Sequence, residues 1–318
     1  SRRVILTGSF IYAISLPLIV LSPTTWILVI VLILFGLMGN IMNIALNTQA
    51  LDLEDQMGKS ILASFHGLWS LAGFTGAGIG AAMIFLDFNP TQHYLLVMTL
   101  SFVIIFLAHS YVVKEKKRDD SGGLVLKKPD NLLLRIGLIA FLGMMTEGCM
   151  FDWSGVYFKK VLVANPSLVS LGYVAFMGTM ASGRFISDRL VQRFGKVPVI
   201  RVSGLLIFLG LLLSVLIPTL PFATLGFFIV GFGVSSIIPV SYSIAGRSKQ
   251  FAPSVALALV STISFLGFLI GTPMIGFIAD LFSLKISFAL IAMNGLGIAL
   301  LASIRKDVFY PSQVSETL

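Results

Sequence analysis

Ten stretches of roughly 20 mostly apolar residues follow one another along this chain, with little between them. They run over about 4–21, 26–50, 60–86, 93–113, 132–156, 168–186, 198–217, 221–245, 253–279 and 284–304. A helix of that length crosses the hydrocarbon core of a bilayer while satisfying every backbone group within itself. Segments this long and this uniformly apolar do not fit the alternating strands of a membrane barrel. Composition agrees: 57% of the residues are hydrophobic and 11% charged, where a soluble domain carries about 25% charged residues. With a mean hydropathy of +0.97, the 318 residues have too little polar surface to hide such a core from water. The lipid bilayer is therefore the chain's main partner, and the expected class is an all-α integral membrane protein with ten transmembrane helices.

The charges give a topology. When loops are assigned alternately to two sides, 19 of the 22 Lys and Arg fall on the side that holds both ends of the sequence. Only Lys159, Lys160 and Lys285 fall on the other. Basic loops mark the cytoplasm, so both termini are expected there, in a protein of the plasma membrane. The net charge of +8 is strung between spans and does not form a nucleic-acid-binding face. The longest polar stretch, KEKKRDDSGGLVLKKPDN at 114–131, reads as a cytoplasmic linker. It divides a four-helix portion (1–113) from a six-helix portion (132–304), and 305–318 forms a cytoplasmic tail. One cysteine, Cys149, rules out an intramolecular disulfide. No loop is long enough for a soluble catalytic domain.

The loop after the sixth span reads GRFISDRLVQRFGKVPVIR, from Gly183 to Arg201. It resembles the signature loop of the major facilitator superfamily, in which Gly, Asp, basic residues and a second Gly link two helices. On that resemblance Gly183, Arg184, Asp188, Arg189 and Gly195 are expected to gate. Gly183 allows two helices to approach closely, and Asp188 can accept from a neighbouring helix N-terminus or from Arg184 or Arg189. The spacing from Asp188 to Gly195 resembles that of the fucose-permease-like sugar transporters. So do GNIMNIALNTQALDLE (39–54), SFHGLWSLAGFTGAGIGA (64–81), EGCMFDWSGVY (147–157) and GFGVSSIIPVSYSIAGR (231–247). The resemblance implies a major-facilitator-type helical bundle. The opening SRRVILTGSF is similar to the tail of a first-half signature loop, which would make the ten helices the third to twelfth of a family of twelve.

Polar groups inside a membrane are costly, and so each is a functional candidate. Asn40, Asn43 and Asn47 lie within about 60° of one another on a helix. His66, Trp69 and Ser70 share a face of the next one, with Trp69 placed for sugar stacking or gating. Both stripes are expected to face the bundle interior or a water-filled path. Fucose-permease-like transporters carry an acid four positions before an Asn. If Asn47 is that Asn, the acid position holds Asn43, which cannot titrate. Glu147 lies near the middle of its span, aligned with Phe151, and no Lys or Arg is expected at its depth. A lone buried carboxyl favours its protonated form, which suits a proton carrier, and His66 and Asp152 are the other proton-coupling candidates. Asp152 reads more simply as a rim residue or helix-end cap. Ser235 and Tyr242 share a face with Pro239, whose kink would free carbonyls toward the interior.

The resemblance implies a secondary transporter that moves a small polar, sugar-like solute by alternating access and is coupled to protons or another ion. It would work as a monomer without cofactor or metal. The alternatives are an exporter of amphipathic compounds and a transport-incompetent fragment. An intramembrane enzyme would need a nucleophile–base or metal cluster. Cys149 has no suitable partner in the sequence, and three histidines in separate spans lack ligand spacing.

Overall fold

The computed structural model describes residues 2–112, 129–248 and 250–303. They form α1 (Arg2–Val20), α2 (Thr25–Met57), α3 (Leu62–Phe85), α4 (Pro90–Ala108), α5 (Asn131–Lys160), α6 (Leu171–Phe194), α7 (Lys196–Leu216), α8 (Leu220–Ala245), α9 (Pro253–Leu281) and α10 (Leu284–Ser303). A single 3-10 turn, Pro166–Leu168, precedes α6. No strand occurs among the described residues, and eight of the helices are long and apolar enough to cross a membrane. Of the remaining helices, α6 is diluted by Arg184, Asp188, Arg189 and Arg193. The chain is thus all-α and membrane-embedded, as its apolar runs predict. Most of the expected linker at 114–131, and the tail at 305–318, lie outside the described residues.

The helices start and stop for local reasons. Asn89 Oδ1 accepts from Gln92 N–H at 2.9 Å while Gln92 Oε1 accepts from Asn89 N–H at 3.0 Å, a reciprocal cap ahead of Pro90 at the first turn of α4. Asp130 caps α5 by accepting from Leu133 N–H at 2.7 Å, and Lys159 and Lys160 complement its negative end. The α6–α7 connection is one residue, Gly195, with φ of 85°, a conformation open to glycine at little cost.

The helices form two compact units: Ser1–Leu53 with Trp69–Leu124, and Glu54–Leu68 with Val125–Leu318. In the first, α1 packs on α4 through stacked Phe10 and Phe102 and on α2 through stacked Tyr12 and Phe35. In the second, α5 packs on α9, α7 on α8 and α10, and α6 on α8. Some of these approaches need a missing side chain: a Cβ on Gly204 of α7 would lie 2.5 Å from the carbonyl oxygen of Gly295 on α10. The core of this unit is aromatic, with Tyr157, Phe158, Phe227 and Phe288 fully buried. The Tyr157 hydroxyl donates to the Ser214 carbonyl at 2.8 Å, so even this tyrosine leaves no polar atom stranded. The segment Glu54–Leu68, which comprises the end of α2, the connection and the start of α3, clusters with α5–α10.

Candidate functional site

The middle of the second unit holds an ion pair. Glu147, halfway along the 30-residue α5, is 4% exposed, and Arg184 of α6 is 3% exposed. Arg184 Nη2 donates to Glu147 Oε1 at 3.2 Å. Arg184 Nη1 also points at the His66 carbonyl of α3, 3.5 Å away. The His66 ring packs edge-on against Tyr242 of α8, centroids 6.0 Å apart, and Tyr242 lies within electrostatic range of Glu147. Four helices therefore meet around this ion pair. The other oxygen, Glu147 Oε2, is buried with no hydrogen-bond partner among the described residues.

This corrects the expectation that no basic residue shares the depth of Glu147. The signature-loop stretch begins at Gly183, at the end of the sixth apolar run, and on that reading Arg184 belongs to a loop. In the structure α6 continues to Phe194, and Arg184 lies well inside it. Two buried charges in a low-dielectric setting are tolerable as a pair, and either alone is strongly unfavourable.

The second cluster lies one helical turn further along α6, at the end of the unit where the basic loops lie. The first four N–H groups of a helix have no partner within it. Here those of α3 are shared between two carboxylates. Glu54, 1% exposed at the end of α2, accepts from Ile61 and Leu62 N–H, both at 3.3 Å. Asp188, 5% exposed on α6, accepts from Ala63 N–H at 3.1 Å and Ser64 N–H at 2.7 Å. It also accepts from the Ser60 and Ser64 hydroxyls at 3.1 and 2.6 Å. Of the partners the sequence offers Asp188, the structure uses the helix N-terminus. Glu54 Oε1 is held by the Ser243 hydroxyl and by Arg247, 3.3 Å away, with Lys196 at 3.8 Å. Gln192 of α6 donates to the Ser60 carbonyl at 2.8 Å. We call this arrangement the clasp.

Other sequence-selected residues fall elsewhere. Gly183 lies against Ser235 of α8, where a Cβ would be 2.6 Å from the Ser235 hydroxyl, and Ser235 donates to the Phe232 carbonyl. Phe151 sits among Tyr173, Phe176 and Phe268. Arg189 is exposed, and Gly195 makes the α6–α7 turn. Asp152 is exposed and accepts from the Thr272 hydroxyl at 2.9 Å. It is not a helix-end cap, because α5 runs on to Lys160. Trp153 beside it donates to the Thr272 carbonyl at 3.0 Å. In the first unit, Asn47 donates to the backbone and side-chain oxygens of Asn43, Asn40 is exposed, Ser70 is buried and Trp69 is 65% exposed. His66 and Trp69, expected to act together, belong to different units. No group of three or more His, Cys, Asp or Glu could hold a metal among the described residues.

Glu54, Ser60, Ser64, Lys196, Ser243 and Arg247 do not stand out in the sequence as site residues. One signal was available for Glu54: an acid shortly after an apolar run, eight residues ahead of the first residue of the next helix, is placed to cap it.

The family model of the Major Facilitator Superfamily matches residues 1–253. An uncharacterised MFS-type transporter of Yersinia pestis is 32% identical over 298 residues, covering 94% of this chain and 77% of that protein. An uncharacterised transporter of Sinorhizobium fredii is 30% identical over 301 residues, covering 93% and 79%. Among solved structures, FucP, the E. coli fucose:proton symporter, in its outward conformation aligns with a TM-score of 0.77 at 15% identity, covering 95% of this chain and 82% of that one.

Proposed function

The chain belongs to the major facilitator superfamily of membrane transporters, and we propose that it moves a small polar, sugar-like solute by alternating access, driven by protons. Members of this superfamily are transporters and not enzymes. The observation that carries the proton coupling is the buried Glu147–Arg184 pair with its unpartnered Oε2. Glu147 is the proton site in this reading: its carboxylate is held by one guanidinium, and its second oxygen is open to protonation. The supports for a sugar-like solute are the polar residues of α2 and α3 and the likeness of the fold to a fucose:proton symporter. The protein resides in the cytoplasmic membrane with its basic loops inside, as the charge bias indicates.

The test uses the full chain in proteoliposomes loaded with a pH-sensitive dye, with L-fucose and D-xylose as the first of a panel of sugars and polyols. Solute addition acidifies the lumen of vesicles with the parent protein. Glu147→Gln keeps size and hydrogen bonding but cannot titrate. It is expected to abolish accumulation against a gradient and to spare solute exchange. Normal proton-driven uptake by the Gln variant would reject the coupling role. A second reading, export of amphipathic compounds, draws on the aromatic group of Phe151, Tyr173, Phe176 and Phe268 one turn from Glu147. Ethidium efflux without response to any sugar would favour it.

A further inference from the structure

Arg184 and Asp188 are four residues apart on α6, so their side chains lie one above the other on one face. Opposite charges at that spacing ordinarily pair. Here each is held elsewhere. Arg184 is bound to Glu147 of α5 and touches the His66 carbonyl of α3. Asp188 is bound to the first turn of the same α3. The contacts close a ring from Arg184 through the second turn of α3, its first turn and Asp188 back along α6 to Arg184, with Glu147 attached at Arg184.

We propose that Arg184 exchanges partners when Glu147 takes up a proton. The guanidinium leaves the neutral acid, engages the Asp188 carboxylate one turn along its own helix, and so withdraws Asp188 from the amides of α3. The inference rests on Glu147 as the proton site and adds the route from that site to the clasp.

Each step has a physical cause. A proton on Oε2 removes the charge that holds Arg184 and leaves an ordinary hydrogen bond at most. A buried guanidinium without an anion is strongly unfavourable, which favours movement of Arg184 toward a second carboxylate. Glu54 is already held by Ser243, Lys196 and Arg247. Asp188 is on the same face of the same helix and needs only side-chain motion to pair. Once Asp188 turns away, Ala63 and Ser64 lose their caps while Ile61 and Leu62 keep theirs on Glu54. The start of α3 is loosened but not unfolded. Arg184 is thus a positioning residue that converts a charge change at Glu147 into release of the clasp.

Other titratable groups are accounted for. His66 on α3, Arg184 on α6 and Tyr242 on α8 face Glu147. The described residues of α9 and α10 contribute Asp280 and Lys285, both near helix ends away from Glu147. Around Asp188 stand Glu54 and Asp55 of α2, Lys196 of α7 and Arg247 after α8, with Arg189 and Arg193 on α6 itself.

Ala63 is buried in the clasp, and its N–H survives substitution. The test places a cysteine there (Ala63→Cys, with Cys149→Ala) in the full chain in detergent. It measures alkylation by a maleimide between about pH 8 and pH 5.5, each rate divided by that of the unfolded protein at the same pH. Acidification is expected to speed alkylation about tenfold, within the usual range of coupling between sites. Glu147→Gln should be fast at both pH values, since Gln mimics the protonated acid. Asp188→Asn should also be fast, which shows that the thiol reads the clasp. The Glu147→Gln/Arg184→Gln double variant, which leaves no buried charge, should lose the pH response. If Glu147→Gln stays slow yet loses proton-driven uptake, the partner exchange is wrong and the proton site stands. If it keeps the uptake, the proton site itself is wrong. A pH response that persists in Glu147→Gln would come from His66, Glu54 or Asp188 and would overturn the exchange.

Discussion

Glu147 and Arg184 are both buried, and their charged atoms are 3.2 Å apart. Removing one partner leaves an uncompensated charge in an apolar bundle, which costs about 3–5 kcal/mol, while removing both is often nearly neutral. Arg184→Gln alone is therefore expected to lower stability by about that amount, and Arg184→Gln with Glu147→Gln to recover most of it. The single thiol, Cys149, is buried, so a dye that fluoresces on alkylation reports unfolding directly. Equal melting of the single and double variants would mean that the pair contributes nothing to the fold. The acid of this pair is legible in the sequence, because a carboxyl in mid-span has no solvent to hold it. The base is not. Its depth depends on where α6 stops and on how α6 aligns with α5, 37 residues away. Glu54 was missed for a related reason: the apolar run of its span ends near residue 50, while α2 continues to Met57.

At the scale of helices, the sequence reading and the structure agree on number and order and differ at the ends. Hydropathy marks the part of a helix that sits in lipid. The hydrogen-bonded spiral goes further wherever caps and partners continue it. α6 runs eight residues past the end of its apolar run and carries Asp188 with it, so a stretch that reads as a loop becomes the helix face that builds the clasp. Packing between helices is legible only in part. Small residues mark close approach, but Gly36 and Gly76 have no neighbour within 4 Å where a Cβ would go, while Gly204 meets backbone. Gly204→Ala should displace α10 from α7 and cost about 1–3 kcal/mol. Gly36→Ala, in an unobstructed helix interior, should be neutral or slightly stabilising. The same thiol assay compares them. Equal melting would show that the α7–α10 approach tolerates a methyl group.

For the whole molecule, the strongest sequence signal is the charge bias of the loops, from which the proposed orientation follows. Ser248 follows α8 on the basic side, and Ser283 joins α9 to α10 on the other. Single cysteines at these positions, with Cys149→Ala, should react differently in intact cells: Ser283→Cys with a membrane-impermeant maleimide, and Ser248→Cys only after permeabilisation. The reverse pattern would invert the topology. The distribution of indole rings has a spectroscopic consequence. Trp26 and Trp69 belong to the first unit, and Trp153 is alone in the second, tethered through Thr272 of α9. Replacing Trp26 and Trp69 with phenylalanine leaves one fluorophore. Its emission wavelength and access to quenchers then follow the α5–α9 contact by itself, so events in that unit can be timed in the unlabelled protein.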